Sequence, residues 1–163
     1  MSLKVVGVIP ARLGSTRLAA KVLKPLAGKP MIQHVWERAK QARRLASLWI
    51  ATDHTDVETA AKNFGAQVMI TRADHPNGSA RVAEVASRET ADVFINIQGD
   101  EPMIHPPAID QLAADFETHP ESEVATLAVP RTDRDDYTNP NVVKVVLDHG
   151  LIALNINKNV RRL

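Results

Sequence analysis

Basic side chains and hydroxyls gather in a loop that follows an apolar, strand-like run near the start of the chain. The run covers residues 5–9, and the loop after it holds Arg12, Ser15, Thr16, Arg17 and Lys21. Guanidinium forks, an ammonium group, hydroxyls and backbone N–H groups near Gly14 are the donors that fix the oxygens of a polyphosphate. The spacing therefore indicates a triphosphate site, and the alternative is a solvated basic loop without a ligand.

A second candidate segment, Gln98-Gly99-Asp100-Glu101-Pro102, comes after the apolar run 93–97. A carboxylate at the end of a buried strand can hold Mg²⁺ through hard oxygen ligands, with a polyphosphate completing the octahedron. Neighbouring side chains of an extended chain point to opposite sides, so one of the two acids faces a ligand. We predict Asp100, because Gly99 before it lets backbone and ligand come close. The alternative is a turn acid with no ligand.

A third candidate segment, Thr71 to Ser79, comes after the run 68–70 and leads into a predicted helix. Reading the edge of a pyrimidine takes a few fixed donors and acceptors, which His75 and the backbone near Gly78 could supply. The alternative is an Asn-Gly turn that feeds a helix with Ser79 as its N-cap. The residues of this segment leave both interpretations open.

The elements that position these segments alternate along the chain. Apolar runs of strand length lie at residues 5–9, 48–51, 68–70, 93–97, 124–129 and 142–147, and a segment with helical spacing lies between each of the first four runs and the next. Runs without polar alternation are typical of strands that are buried on both faces. A capping-box pattern from Thr55 to Glu58 and a possible left-handed Gly65 mark the ends of the second helix. The pattern predicts one α/β domain over residues 1–163, a three-layer α/β/α sandwich with a mostly parallel, Rossmann-like sheet.

Composition excludes several classes of function. The chain has 163 residues, a formal net charge of +1 and no cysteine. The small net charge gives no field for nucleic acid or an anionic membrane, and the lack of cysteine excludes disulfides and thiolate chemistry. The apolar run 5–9 is too short for a signal peptide or a membrane span. The composition favours a cytoplasmic protein. Neither the Walker A motif nor G-x-G-x-x-G is present, which disfavours P-loop NTPases and dinucleotide dehydrogenases.

The ordered motifs resemble the 3-deoxy-manno-octulosonate (Kdo) cytidylyltransferases, the CMP-Kdo synthetases. The matching stretches are Ile9-Pro10-Ala11-Arg12, Ser15-Thr16-Arg17-Leu18 with Lys21, Gly28-Lys29-Pro30-Met31-Ile32, Ala51-Thr52-Asp53, Thr71 to Ser79, and Gln98-Gly99-Asp100-Glu101-Pro102. Both their order and their spacing match. The resemblance implies a nucleotide-diphospho-sugar transferase-like fold, CTP and Kdo as substrates, Mg²⁺ as cofactor, and CMP-Kdo and pyrophosphate as products, for lipopolysaccharide biosynthesis.

The resemblance also implies roles for single residues. Arg12 and Lys21 would act in catalysis on the phosphates, and Asp100 would be a catalytic residue and the metal ligand. The nucleotide-binding set is Ala11, Arg12, Gly14, Ser15, Thr16, Arg17, Lys21, Thr71, His75, Gly78, Ser79 and Gln98. The sugar hydroxyl attacks directly, so no protein nucleophile is implied.

Departures from the family pattern leave alternatives open. The family typically reads S-T-R-L-P-G-K-P-L where residues 15–23 read S-T-R-L-A-A-K-V-L, so Ala20 replaces a glycine and two prolines are gone. The sequence is expected to lack the family's C-terminal part, which carries a second metal carboxylate, much of the Kdo pocket and most contacts of the family's homodimer. Two alternatives therefore stand beside CMP-Kdo synthesis. One is a non-catalytic or impaired nucleotide-binding module, and the other is a cytidylyltransferase for a related sugar acid such as 8-amino-Kdo.

Overall fold

The computed structural model describes residues 3–14, 20–131, 133–147 and 153–157. The chain forms two compact units, Met1–Ala125 and Thr126–Leu163. The first unit contains the segments that the sequence analysis singles out for chemistry. The single domain over residues 1–163 stays a prediction.

A four-stranded parallel sheet lies at the centre of the first unit. The strands of this unit are β1 (Val5–Ala11), β2 (Pro25–Leu26), β3 (Lys29–Pro30), β4 (Leu45–Thr52), β5 (Gln67–Ile70) and β6 (Val93–Asn96). The sheet order is β5-β4-β1-β6, with all three pairings parallel, whereas β2 and β3 form a small antiparallel pair. Six of the seven residues of β1 are buried, as expected for a strand covered on both faces. The strands that follow β1 in the chain lie on both sides of it: β4 and β5 on one side and β6 on the other. The strand order therefore reverses between β1 and β6.

Helices cover both faces of this sheet. They are α1 (Met31–Ala39), α2 (Thr55–Asn63), α3 (Gly78–Ala86) and α4 (Pro106–Thr118). One buried cluster joins Ile9 and Ile50 of the sheet to α1, α2 and α4, for example through Val35. A separate cluster joins Val6 and Val8 to Val85 of α3. The three-layer α/β/α sandwich with a mostly parallel sheet is therefore confirmed.

Two helix starts differ from the prediction by one or two residues. The N-cap of α2 is His54, whose Nδ1 accepts from the Asp56 N–H at 3.1 Å, so the capping box that begins at Thr55 is wrong. The N-cap of α3 is Asn77 rather than Ser79, because the Asn77 Oδ1 accepts from the Ala80 N–H at 2.9 Å. In both cases the residue one position before the first helical turn has the extended backbone that a cap requires.

The second unit contains a short helix and a two-stranded antiparallel sheet. These elements are α5 (Arg134–Thr138), β7 (Lys144–Leu147) and β8 (Ala153–Asn157). The predicted strand over residues 124–129 is wrong, since no regular element forms there. Val124 is 86 % and Val129 76 % exposed, and β-branched side chains do not form a strand without a partner and a covering layer. No described helix has the length and hydropathy to cross a membrane.

Candidate functional site

The candidate site lies where β1 and β6 end. In open parallel sheets, ligands bind beyond the carboxyl ends of the strands at the point where the strand order reverses, and here that point lies between β1 and β6. A cavity of about 340 Å³ lies in this region. Its lining residues are Pro10, Arg12, Lys21, Val22, His75, Pro76, Asn77, Gly78, Arg81, Gln98, Gly99 and Asp100. The basic loop, the segment with His75 and the acid after β6 therefore meet at one cavity.

The loop after β1 is closed by a backbone hydrogen bond that brings Lys21 to the cavity. The Ala20 N–H donates to the Leu13 carbonyl at 3.2 Å, and Ala20 then caps a single 3-10 turn, Lys21–Leu23. Ala20 has φ +52°, in the left-handed region that favours glycine. Its methyl group therefore strains the backbone at the residue immediately before Lys21, by about 1 kcal/mol.

Replacing this alanine should stabilise the protein. We expect Ala20→Gly to raise the free energy of unfolding by about 1 kcal/mol, because glycine adopts a positive φ without the steric penalty. Thermal unfolding followed by circular dichroism measures this. Ala27 has φ +47° and lies outside the cavity lining, so Ala27→Gly is the matched control. Both variants should gain stability, whereas only Ala20→Gly should also tighten the binding of a magnesium-bound triphosphate. Equal effects of the two on triphosphate affinity would contradict a role for this turn in the site.

An ion pair joins the basic loop to the acid after β6. The Lys21 Nζ lies 2.7 Å from the Asp100 Oδ2, with side-chain exposures of 35 % and 49 %. Asp100 lines the cavity, and its neighbour Glu101 does not. Gly99 lines the cavity too, and its lack of a side chain also permits a close backbone contact. A Cβ built on Gly99 would lie 2.9 Å from the Pro10 carbonyl oxygen, so the glycine lets the turn after β6 contact the backbone of β1.

The donor set at this end of the cavity suits Mg²⁺ bound together with a polyphosphate. Among the described residues no group of three acidic or histidine side chains could hold a metal ion alone. Mg²⁺ commonly binds through one or two carboxylates plus substrate phosphates and retained waters. Asp100 supplies one such carboxylate, and Lys21 neutralises it here. The residues therefore fit a metal that arrives with a polyphosphate.

A second polar cluster fixes the segment that contains His75. Glu84 of α3 accepts from the Arg72 N–H at 2.9 Å, and it also bonds the His75 Nε2 and the Arg88 guanidinium. The hydrogen bond from the Arg72 backbone, then that from His75, and the charge of Arg88 lower the pKa of Glu84 from 4.5 to about 2. The Glu84 side chain is 11 % exposed. One ionised carboxylate thus holds two points of the segment between β5 and α3, Arg72 and His75, and it also pairs with Arg88 just after α3.

The low pKa of Glu84 predicts how stability depends on pH. The folded-state pKa lies below the unfolded value, so Glu84 stabilises the fold above pH 4.5 and this contribution is lost as the pH falls towards about 2. We expect Glu84→Gln to lower the Tm clearly at pH 6 and to match the parent near pH 2. Calorimetry over this pH range measures the difference.

The control for this prediction is Glu58→Gln, which removes the exposed pair of Glu58 with Lys62 on α2. It should change the Tm little at any pH, since exposed pairs of this kind contribute about 0.3–0.5 kcal/mol. A constant Tm difference between Glu84→Gln and the parent from pH 2 to pH 6 would contradict the prediction.

The sequence analysis did not identify Arg81 as a residue of the cavity. Of the cavity residues that it missed, Arg81 has the greatest chemical consequence. It is 2 % exposed, and its Nη1 donates to the Thr71 Oγ1 at 2.5 Å. Its Nη2 lies 3.4 Å from the Asp53 Oδ2. A signal for it exists in the sequence, because Arg81 lies four residues before Val85 and so on the face of α3 that the apolar spacing assigns to the core.

The remaining predicted residues are divided between the cavity and its surroundings. Arg12, Lys21, His75, Gly78, Gln98 and Asp100 line the cavity. Ala11, Gly14, Thr71 and Ser79 do not line it: Ala11 and Thr71 are buried, and Gly14 and Ser79 are exposed. Ser15, Thr16 and Arg17 lie outside the described residues. Which of these residues bind nucleotide stays a prediction.

Comparison with known proteins identifies relatives of this chain. A family profile described as cytidylyltransferase matches residues 6–158. A 3-deoxy-manno-octulosonate cytidylyltransferase of Solibacter usitatus is 53 % identical over 150 residues, which cover 92 % of this chain and 60 % of that protein. The protein of the same name from Syntrophobacter fumaroxidans is 45 % identical over 155 residues, covering 93 % and 62 %. The chain spans about three fifths of the length of these curated relatives.

A solved structure is similar over the same region. It is a CMP:2-keto-3-deoxy-manno-octonic acid synthetase complexed with CTP, with 44 % sequence identity and a TM-score of 0.90. The match covers 95 % of this chain and 64 % of that one. The resemblance noted from the motifs is thereby confirmed.

Proposed function

The chain belongs to the cytidylyltransferase family, and on that basis we propose that it transfers CMP from CTP to Kdo, giving CMP-Kdo and pyrophosphate for lipopolysaccharide biosynthesis. The observation that carries the proposal is the meeting of Arg12, Lys21 and Asp100 at one cavity beyond β1 and β6. Two cations and one acid at this position suit a triphosphate that carries a divalent metal.

The reaction needs positioning and charge neutralisation from the protein rather than a protein nucleophile. The anomeric hydroxyl oxygen of Kdo attacks the α-phosphorus of CTP, the bond from that phosphorus to the β-phosphate oxygen breaks, and the hydroxyl proton passes to solvent. Arg12 and Lys21 hold the phosphate oxygens and neutralise the charge that develops on the departing pyrophosphate. Ser15, Thr16, Arg17 and the backbone at Ala11 and Gly14 complete this set of donors.

Asp100 would hold Mg²⁺ on the same phosphates. Bound there, the metal would neutralise phosphate charge and orient the α-phosphorus for attack. Lys21 must then exchange Asp100 for a phosphate oxygen, since the two side chains are paired at 2.7 Å. Both side chains of this ion pair are more than a third exposed. Breaking the pair therefore costs little free energy, about 1 kcal/mol or less.

The nucleoside occupies the rest of the cavity in this proposal. Gln98, His75 and Gly78 supply polar groups at the cavity wall, Ser79 and Thr71 adjoin them in the sequence, and Glu84 keeps the His75 segment fixed. The proposal places the protein in the cytoplasm, where CTP is available. It includes the homodimer that the family resemblance implies.

Three measurements on the chain test the proposal. Isothermal titration should detect CTP binding that strengthens when Mg²⁺ is present. An assay for pyrophosphate should then detect sustained, metal-dependent release with CTP and Kdo, and mass spectrometry should identify CMP-Kdo. Release with 8-amino-Kdo in preference to Kdo would establish the related acceptor instead. Binding of CTP without release would establish a nucleotide-binding module, and the absence of CTP binding would refute the proposal.

A further inference from the structure

The Asp100 turn, residues 97–105, connects β6 to α4. The Ile97 N–H donates to the Val8 carbonyl at 2.9 Å, and in the described part of the chain this is the last backbone hydrogen bond from the turn to the sheet. Beyond Ile97 the backbone leaves the strand, and Asp100 lies in that stretch. A carboxylate that is to hold a metal needs a support that fixes its position. The question is which contacts supply it.

The end of the Asp100 turn that meets α4 lacks the hydrogen bonds that commonly fasten a helix start. The helix begins with Pro106 and Pro107, which have no backbone N–H, and its N-cap His105 makes no side-chain capping bond. Within the turn, the Ile104 N–H donates to the Glu101 carbonyl at 3.0 Å. Such a local bond shapes the turn but does not fix where it lies relative to the sheet.

Arg38 of α1 bonds the Asp100 turn from outside it. Its Nε donates to the Ile104 carbonyl at 2.7 Å, and the contact is partly buried. Hydrogen bonds from a charged donor are shorter and stronger than those between neutral groups. Apart from Asn96 of the adjoining strand, Arg38 and Lys21 are the side chains from elsewhere in the described residues that bond this turn.

The bond from Lys21 ends on Asp100 itself, so it does not last through the proposed reaction. Lys21 exchanges Asp100 for a phosphate oxygen when the metal and nucleotide bind, and the turn then loses this support. The bond from Arg38 ends on the backbone four residues beyond Asp100 and is not affected by that exchange. Arg38 lies outside the cavity lining. It can therefore support the turn without contacting the ligand.

A purely structural role for Arg38 would be to tie α1 to α4, but another residue already makes that connection. The Oδ1 of Asp110 in α4 accepts from the backbone N–H groups of Arg43 and Arg44, just after α1, at 2.8 and 2.9 Å. These two bonds fasten the helices to each other without involving the Asp100 turn. The distinct effect of Arg38 is therefore on the turn.

We propose that Arg38 is a positioning residue for the metal site, which holds the Asp100 turn through the Ile104 carbonyl while Lys21 is drawn away to the phosphates. This inference rests on the proposed function, since it requires a metal at Asp100. Arg38 acts through the backbone of the turn and touches neither nucleotide nor metal. Its loss should therefore weaken only the part of nucleotide binding that depends on the metal.

Titration of CTP with and without Mg²⁺ tests the inference, and the ratio of the two affinities is the magnesium enhancement. In Arg38→Met this enhancement should fall about tenfold, as for the loss of a hydrogen bond from a charged donor. The affinity without Mg²⁺ should stay that of the parent. Arg38→Lys keeps a charged donor and should recover part of the enhancement. General loss of structure would instead lower both affinities together.

Two further variants keep the measurement interpretable. Arg38→Gln keeps a neutral N–H donor, should show a smaller fall than Arg38→Met, and replaces that variant if it does not fold. Asp110→Ala is the matched control, because it removes two bonds at the neighbouring junction of α1 and α4 and lies outside the cavity lining. It should lower the Tm and leave the magnesium enhancement intact.

The possible outcomes separate this inference from the proposed function. An unchanged enhancement in Arg38→Met, or in Arg38→Gln where the first variant does not fold, would overturn the inference alone. So would an equal fall in Asp110→Ala, or a parallel loss of CTP affinity with and without Mg²⁺. A parent chain that binds no CTP would overturn the proposed function together with the inference. A fall confined to the enhancement, with recovery in Arg38→Lys, would support both.

Discussion

Asp100→Asn should weaken the magnesium-dependent binding of CTP by about a hundredfold, because it removes the carboxylate that would bridge the metal to the fold. Without ligand, its thermal stability should hardly change. The Lys21–Asp100 pair is solvent-exposed on both sides, and such pairs contribute about 0–1 kcal/mol. Titration of CTP with and without Mg²⁺, together with thermal unfolding, measures both effects.

The neighbouring acid is the control for this experiment. Glu101→Gln changes the same functional group one residue further along the chain, at a side chain outside the cavity lining. It should bind Mg²⁺-CTP as the parent does. If Asp100→Asn retained the affinity of the parent for Mg²⁺-CTP, Asp100 would not be a metal ligand.

Lys21→Met should change two affinities in opposite directions. CTP affinity should fall by about a hundredfold, since the variant loses a cation that would contact several charged phosphate oxygens. Affinity for Mn²⁺ added alone should rise, because Asp100 is then free of the ammonium group that lies 2.7 Å away and competes for its charge. Titration of CTP and electron paramagnetic resonance of Mn²⁺ measure the two.

Lys24→Met provides the comparison, since Lys24 is an exposed cation three residues further on and outside the cavity lining. Neither affinity should change in this variant. A fall in both affinities of Lys21→Met would show that the lysine supports the local fold rather than exchanging its partner. The informative observation is therefore that the affinities for CTP and for Mn²⁺ change in opposite directions.

The parallel sheet, the helix positions and the three segments at the strand ends could be predicted from the sequence. Each depends on local apolar spacing and on the rule that parallel strands end at one edge of a sheet. Arg12 and Lys21 follow β1, and Asp100 follows β6. These residues meet because the two strands are neighbours in the sheet and end at the same edge. The ion pair between Lys21 and Asp100 could not be predicted, since it depends on how the Ala20 turn orients one side chain.

Other features depend on contacts that no local pattern contains. Arg81 is buried because Asp53 and Thr71, at the ends of two other strands, compensate its charge. The segment with His75 is fixed from the next helix by Glu84. The apolar run 124–129 shows the opposite case, in which strand propensity is present but a pairing partner is not. Tertiary contacts decide such positions, and a single sequence does not display them.

The place of β6 beside β1 has a consequence for synthesis on the ribosome. The loop with Arg12 and Lys21 is translated long before Asp100. In the proposed site, this loop and Asp100 must be adjacent to hold a nucleotide. A growing chain that stops short of β6 therefore carries the cations without their counter-charge and lacks one wall of the cavity. If the cavity binds a nucleotide as proposed, capture would become possible only when β6 docks beside β1, and a ligand selective for the native state would then stabilise this sheet.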